Sequence, residues 1–272
     1  MRMGPECPEC LRNLARLTAE LATDDPGLRG EMIRRAEAII SSYPSSSVPT
    51  DISNDFLAMI MEVSGNSDPF RDRKREEMER ARRIVAGLEK PSELAGLVEL
   101  AAIGNSLDFF LPPSVLEAAV GKRQRFALDH REELAERLTT AGEVLYIADN
   151  AGEIFFDIPL LEFLSRRTKV FLAVKERPVQ NDLSLEDLKG MDLPAEPVAA
   201  PARVGVYLSH ASEDFRHKFL SADLIISKGM GNYETLSEME LDRKCFFILR
   251  AKCWPVARSL GVRRGDYVAA FL

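Results

Sequence analysis

The 272-residue sequence predicts an α/β protein: a Rossmann-like three-layer sandwich with a mostly parallel sheet, preceded by an all-helical region. Two observations carry this. Residues 1–140 place apolar side chains at helical spacing and lack strand-like alternation. From about Gly142 onward, short apolar runs alternate with helical stretches, as in parallel strands covered on both faces. The expected division is a helical domain over 1–140 and a Rossmann-like α/β domain over 141–272.

In order along the chain, Leu11, Leu14 and Leu17 form one stripe of a first helix, and Glu31 to Ile40 repeats the pattern. Ser41 to Pro49 is rich in Ser and Pro and reads as a loop. Asp51-Ile-Ser-Asn precedes an expected helix from Phe56 to Val63. Gly65-Asn-Ser-Asp-Pro is a turn. Arg71 to Leu88 and Leu94 to Ile103 are further helices, the second ending at Gly104. Strands are expected at Glu143-Val-Leu-Tyr-Ile, Lys169-Val-Phe-Leu-Ala-Val, Ala202-Arg-Val-Gly-Val-Tyr, Asp223-Leu-Ile-Ile-Ser and Cys245-Phe-Phe-Ile-Leu. Helices are expected between them at Ile158–Arg166, Leu185–Lys189, Ser212–Phe219 and Glu234–Leu241.

The formal net charge of -7 disfavours a nucleic-acid partner, since phosphate-backbone affinity rests on clustered Lys and Arg. It leaves room for a small phosphorylated ligand gripped by a few local cations. No apolar run approaches the roughly 20 residues of a membrane span, so no membrane partner is expected. The N-terminus lacks the layout of a secretory signal, and the expected compartment is the cytoplasm.

Ligands of open α/β sheets bind beyond the carboxyl ends of the strands. There the sequence places Asp149-Asn-Ala-Gly-Glu153, then Lys175 to Asp182, then Lys228-Gly-Met-Gly-Asn-Tyr-Glu234, then Arg250 to Cys253. Asp149 and Asn150 offer hard oxygens suited to a divalent cation, although taken alone the pair is more often a helix-capping turn. Asp182 is either a second carboxylate of that site or a solvated loop residue. Gly229 and Gly231 let the main chain approach a ligand closely, with Lys228 adding charge and Asn232 hydrogen bonds. Lys252 is a phosphate contact or an ordinary edge lysine. The Gly-x-Gly matches neither the Walker A spacing nor the dinucleotide fingerprint.

Taken in order, these segments, with Cys7-Pro-Glu-Cys10, Asp68-Pro-Phe-Arg-Asp-Arg-Lys74, Gly104-Asn-Ser-Leu-Asp108 and Lys252-Cys-Trp-Pro-Val-Ala257, resemble the damage-control phosphatase family over nearly the whole chain. The Cys-x-x-Cys is similar to that of its stand-alone prokaryotic branch. The family also holds a eukaryotic branch described as an acidic-residue methyltransferase. The resemblance implies a phosphatase of small phosphorylated metabolites, such as sugar phosphates or damaged cofactors, dependent on a divalent metal (Mn, Ni, Co or Mg). It implies Asp149, Asn150 and Asp182 as metal ligands, and Lys228 and Lys252 as phosphate contacts. Asn105 and Asp108 are implied site residues from the helical region, beside Glu153, Gly229, Gly231 and Asn232. One departure is Glu176-Arg-Pro-Val-Gln180, where the family often has Arg-Gly-x-Pro.

On this reading a metal polarises the phosphoryl group while lysines and main-chain amides stabilise its oxygens. Asp149 or Asp182 would alternatively serve as a nucleophile, which a trapped aspartyl-phosphate would reveal. Two other functions stay open. A methyltransferase would need a Gly-rich first turn, and Asp149–Glu153 has a single Gly. A metal-binding partner protein would bind the cation without turnover. Cys7 and Cys10 read as half a zinc site, a redox pair or a helix start, with a structural or accessory role favoured. Cys245 and Cys253 are expected in the core. His130, His210 and His217 have no ligand spacing and no assigned role.

Overall fold

The computed structural model describes residues 1–106, 118–241 and 244–272, so Asp108 lies outside the described residues. Three antiparallel-connected helices open the chain: α1 (Cys7–Ala22), α2 (Pro26–Ser42) and α3 (Pro49–Ser64). Each carries Pro in its first turn, where the missing N–H costs nothing. Asp25 caps α2 by accepting from Gly27 N at 2.7 Å and Leu28 N at 3.2 Å. Gly65 ends α3 in the left-handed region. The three helices close on Ala15, Ala19, Met32, Ala36, Phe56 and Ile60.

Helices α4 (Arg71–Ala86) and α5 (Leu94–Gly104) belong elsewhere. Val98, Ala101 and Ala102 of α5 pack into the sheet core with Tyr146, Leu160 and Ile226. The sheet itself starts before residue 141: β1 (Phe126–Asp129) pairs parallel with the last strand, β7 (Tyr267–Phe271). The α/β layer therefore takes in residues that a boundary at 140 assigns to the helical half. Then follow α6 (Arg131–Leu138), β2 (Glu143–Ile147), α7 (Ile154–Ser165), β3 (Lys169–Lys175), β4 (Glu196–Ala200), α8 (Glu213–Ser221), β5 (Leu224–Lys228), α9 (Met230–Leu236), β6 (Cys245–Arg250) and α10 (Trp254–Leu260).

The seven strands order β1-β7-β6-β5-β2-β3-β4, all parallel to their neighbours except β7 against β6. Side chains alternate across the sheet: Val144 and Tyr146 enter one core layer, Leu145 and Ile147 the other. The expected mostly parallel α/β sandwich with helices on both faces is what the chain forms.

Four local expectations differ. The strand expected at 202–207 lies at Glu196–Ala200 instead. Residues 202–207 turn around Gly205, at φ 83°, where a Cβ would stand 2.6 Å from Thr235 Cγ2. Val204 there packs against the helical bundle, while Val206 is buried in the core layer under the sheet. Asn54 of α3 donates to Val204 O at 3.1 Å and accepts from its N–H at 2.8 Å, fastening the helical bundle to this turn. Leu185–Lys189 is turn, not helix. The helix expected at 234–241 begins earlier, directly after Gly229. The strands β1 and β7 were not expected.

Candidate active site

The chain leaves β2 toward β3 and β4, then returns to the other side of β2 at β5. Its direction reverses between β2 and β5, the place where open sheets part to admit ligands. Asp149 follows β2 there, and Gly229 follows β5. Gly229 has φ 78°, and a Cβ on it would fall 1.9 Å from Asp149 Oδ2. The carboxylate thus lies directly against bare main chain. Gly229→Ala is expected to displace Asp149 and to cost stability by about 1–3 kcal/mol from left-handed strain alone. Thermal melting and metal titration of the variant check this; wild-type metal affinity would contradict it.

The loop after β3 folds back over the end of β2. Leu183 N donates to Asp149 O, and Ala151 N to Asn181 O, each at 2.8 Å, giving an antiparallel bridge between Asn150 and Asp182. Asp149, Asn150 and Asp182 are thereby brought together by main-chain bonds. Just before this bridge Gln180 takes φ 45°, a left-handed conformation in the stretch that departs from the family's Gly-containing pattern. Asp182 is buried with Lys175, whose Nζ stands 3.6 Å from its Oδ2 and donates to Gly205 O at 2.7 Å. Burial raises the Asp182 pKa to about 6, against the pull of Lys175. Burial also lowers the Lys175 pKa, against Asp182 and Asp149.

Beneath this edge lies a hub built on Glu153, which is fully buried. Its Oε1 accepts from Asn105 Nδ2 at 2.9 Å and Asn150 Nδ2 at 2.6 Å, and its Oε2 from Lys228 Nζ at 2.8 Å. Lys228 also donates to Asp157 at 2.7 Å. Its ammonium, expected on the phosphate, is 0% exposed and held by these two carboxylates. The lysine of the Gly-rich segment is therefore a buried counter-ion below the site. Burial would lower its pKa, but Asp157 and then Glu153 hold it above the ordinary lysine range.

Other expected substrate contacts likewise serve as supports. Asn105, at the end of α5, donates to Asp149 Oδ2 at 3.0 Å and accepts from Arg250 N at 2.9 Å. Asn232 donates to Ala148 O at 3.0 Å and Lys228 O at 2.8 Å, tying the ends of β2 and β5. Gly231 faces Val204. Lys252 is half-buried beyond β6, and its charge partly opposes the rise that burial imposes on the Asp149 pKa.

The sequence reading missed Lys175, Asp157 and the buried Lys74, whose Nζ lies 3.2 Å from Asp187. Signals existed. Lys175 closes an apolar strand, and Asp157 is a single acid inside Phe155-Phe-Asp-Ile-Pro-Leu-Leu. A charge in such surroundings is rarely left unpaired.

The donors at the edge are two carboxylates and an amide, hard ligands appropriate to Mg²⁺ or Mn²⁺. Asn150 spends Nδ2 on Asp149 Oδ2 and Glu153, and no hydrogen bond among the described residues engages its Oδ1. Burial, then Glu153, then Asp182 raise the Asp149 pKa well above the carboxylate range, against the pull of Lys252 and Lys228. Among the described residues no three His, Cys, Asp or Glu side chains form a ready metal cage. A site with two acids and an amide is open by construction, as catalysis on a bound ligand needs. The residues present fit a hard cation.

A model of the damage-control phosphatase ARMT1-like domain matches residues 3–268. Damage-control phosphatase PH1575 of Pyrococcus horikoshii is 37% identical over 98% of this chain and 97% of its own. A damage-control phosphatase of Archaeoglobus fulgidus is 31% identical over 99% of each. The crystal structure of a DUF89 family protein (ph1575) from Pyrococcus horikoshii superposes with a TM-score of 0.89 at 34% identity, covering 100% of this chain and 99% of that one.

Proposed function

The chain belongs to the damage-control phosphatase ARMT1-like family, and from that premise we propose that it is a divalent-metal-dependent phosphomonoester hydrolase acting on a small phosphorylated metabolite in metabolite repair. The observation that carries the metal-dependent part is the main-chain bridge that sets Asp182 beside Asp149 and Asn150 at the sheet's reversal point. Asp149, Asn150 Oδ1 and Asp182 would hold the cation. When bound, it would supply Lewis-acid polarisation of the phosphoryl group.

The protein's own groups do the rest. Lys252, on the Asp149 side, faces the charge that builds on phosphoryl oxygens. Lys228 and Asn105 act one step back: they fix Glu153, which fixes Asn150, so the oxygen donors are already oriented before a ligand arrives.

Metal-stripped protein assayed on a panel of phosphomonoesters, with Mn²⁺, Ni²⁺, Co²⁺ or Mg²⁺ restored singly, tests the reading. Phosphate release is expected only with a cation present. Cation binding without release on any ester would make the chain a metal-binding partner protein instead.

A pH effect accompanies this. In the metal-free fold Asp182 keeps its proton up to about pH 6, above the unfolded value, so its contribution to stability falls as pH rises through that window. A cation needs the same carboxylate ionised, so protons compete with it. Added Mn²⁺ is expected to raise the melting temperature more at about pH 8 than at about pH 5. An equal or larger shift at the lower pH would exclude Asp182 as a ligand.

A further inference from the structure

Cys7 and Cys10 take no part in the phosphatase reading, yet the fold gives them a defined place. They are the first and fourth residues of α1. Both line a cavity of about 200 Å³ together with Cys253, Glu234, Met230 and Gln180. Gln180 precedes Asp182 and Met230 follows Gly229, so this cavity adjoins the candidate active site and suits the non-phosphate part of a substrate. All four cysteines are thiols in this structure.

Residues three apart on a helix share a face, with Cβ atoms about 5–6 Å apart. A disulfide needs about 3.5–4.5 Å. The first turn of α1 is where that small closure is cheapest, because its N–H groups have no helical partners. Cys10 N, bonded to Glu6 O at 3.3 Å, is already loosely held. Cys10 is exposed and meets solutes, whereas Cys7 is buried behind it, the arrangement of an attacking and a resolving thiol. Across the cavity Cys253 is the poorer nucleophile, since burial pushes its thiol up to about 12.

The reduced Cys7 sulfur also holds structure. It accepts from Gly4 N at 3.3 Å, and the same segment pairs Glu6 with Arg258 at 2.9 Å. Arg258 sits on α10, the helix that begins just after Lys252 and Cys253. Drawing the Cys7 sulfur into a new bond removes the Gly4 acceptor and loosens the segment that seats α10.

We infer that Cys7 and Cys10 are a reversible dithiol–disulfide couple, oxidised by a peroxide, whose oxidation reshapes the adjoining cavity and weakens substrate binding. The Cys10 sulfur attacks the peroxide O–O bond, giving a Cys10 sulfenic acid and one water. The Cys7 sulfur then attacks Cys10, the S–S bond forms, and the sulfenic hydroxyl leaves with the Cys7 proton as a second water. Two thiols are oxidised and one O–O bond is reduced. The effect on turnover rests on the phosphatase reading; the couple itself does not.

The experiment treats the full chain with hydrogen peroxide, maps disulfides in unreduced peptides, and assays the products on an ester the reduced protein hydrolyses. A Cys7–Cys10 bridge is expected, with KM raised about tenfold and restored by dithiothreitol. Peroxide should leave the KM of Cys10→Ser at its untreated value, whatever that value is, while Cys253→Ser should remain sensitive. A bridge to Cys253, a Cys10 sulfinic acid without any bridge, an unchanged KM in the bridged protein, or zinc that occupies these thiols as isolated and is lost in Cys10→Ser would each overturn the inference. If no ester is hydrolysed at all, the phosphatase reading falls and the peptide map alone decides the couple.

Discussion

Asp182→Ala is expected to abolish cation-dependent phosphate release, a loss of at least about a hundredfold, with the fold intact. The asymmetry follows from what the carboxylate does without a cation. Burial pushes its pKa to about 6, so at neutral pH the folded metal-free protein holds an unfavourably desolvated charge there. Removing it ends that desolvation cost. Lys175 loses a partner at 3.6 Å but keeps the shorter bond to Gly205 O at 2.7 Å. The bridge that places residue 182 is made by main-chain atoms and survives the substitution. Melting without metal should therefore fall by no more than about 1–3 kcal/mol, less than at Lys228 below, while Mn²⁺ affinity and turnover collapse together. Calorimetric titration and phosphate release on the same preparation check this. Full activity in Asp182→Ala would remove the proposed metal site.

Lys228→Met is expected to have the opposite signature, a stability loss of about 3–5 kcal/mol. Its ammonium compensates two buried carboxylates, Glu153 and Asp157, with no solvent to replace it. Asp157 already titrates at about 6, because burial outweighs the lysine that pulls it down. Without Lys228 its folded pKa climbs further above the unfolded value of about 3.9. A carboxyl raised in the fold binds protons that the unfolded chain releases, so stability falls as pH rises past the unfolded pKa. The deficit should be largest at about pH 8 and shrink toward about pH 5. Denaturant unfolding at both values measures it. A variant as stable as the parent at the higher pH would show that this cluster is not a charge-compensated one.

The contrast between those two positions explains what could be read in the sequence. Asp149, Asn150 and Asp182 were legible because each follows an apolar strand at the end where open sheets bind ligands, and the strand ends do converge. The role of Lys228 was not legible in that way. Its place after β5 is equally consistent with pointing up to a phosphate or down to a buried acid, and the deciding residue, Asp157, lies on another element in an apolar stretch. The same limit applies to β7, whose Tyr-Val-Ala-Ala-Phe returns antiparallel to β6 and so departs from the βαβ pattern that marks the other strands. Residues 202–207 failed for the converse reason. Their alternation is genuine, but Val204 is tied to Asn54 of the helical bundle and Val206 fills the core from a turn and not from a strand.

Asn105 sits at the end of α5 yet touches Asp149, Glu153 and the main chain of Arg250. A recombinant graft that combined the front half of one relative with the back half of another would join at this amide. Such chimeras should succeed only when the donor carries an amide of the same length there, whatever the match elsewhere. Breeding new specificities by swapping halves is thus restricted by one side chain on which both halves close.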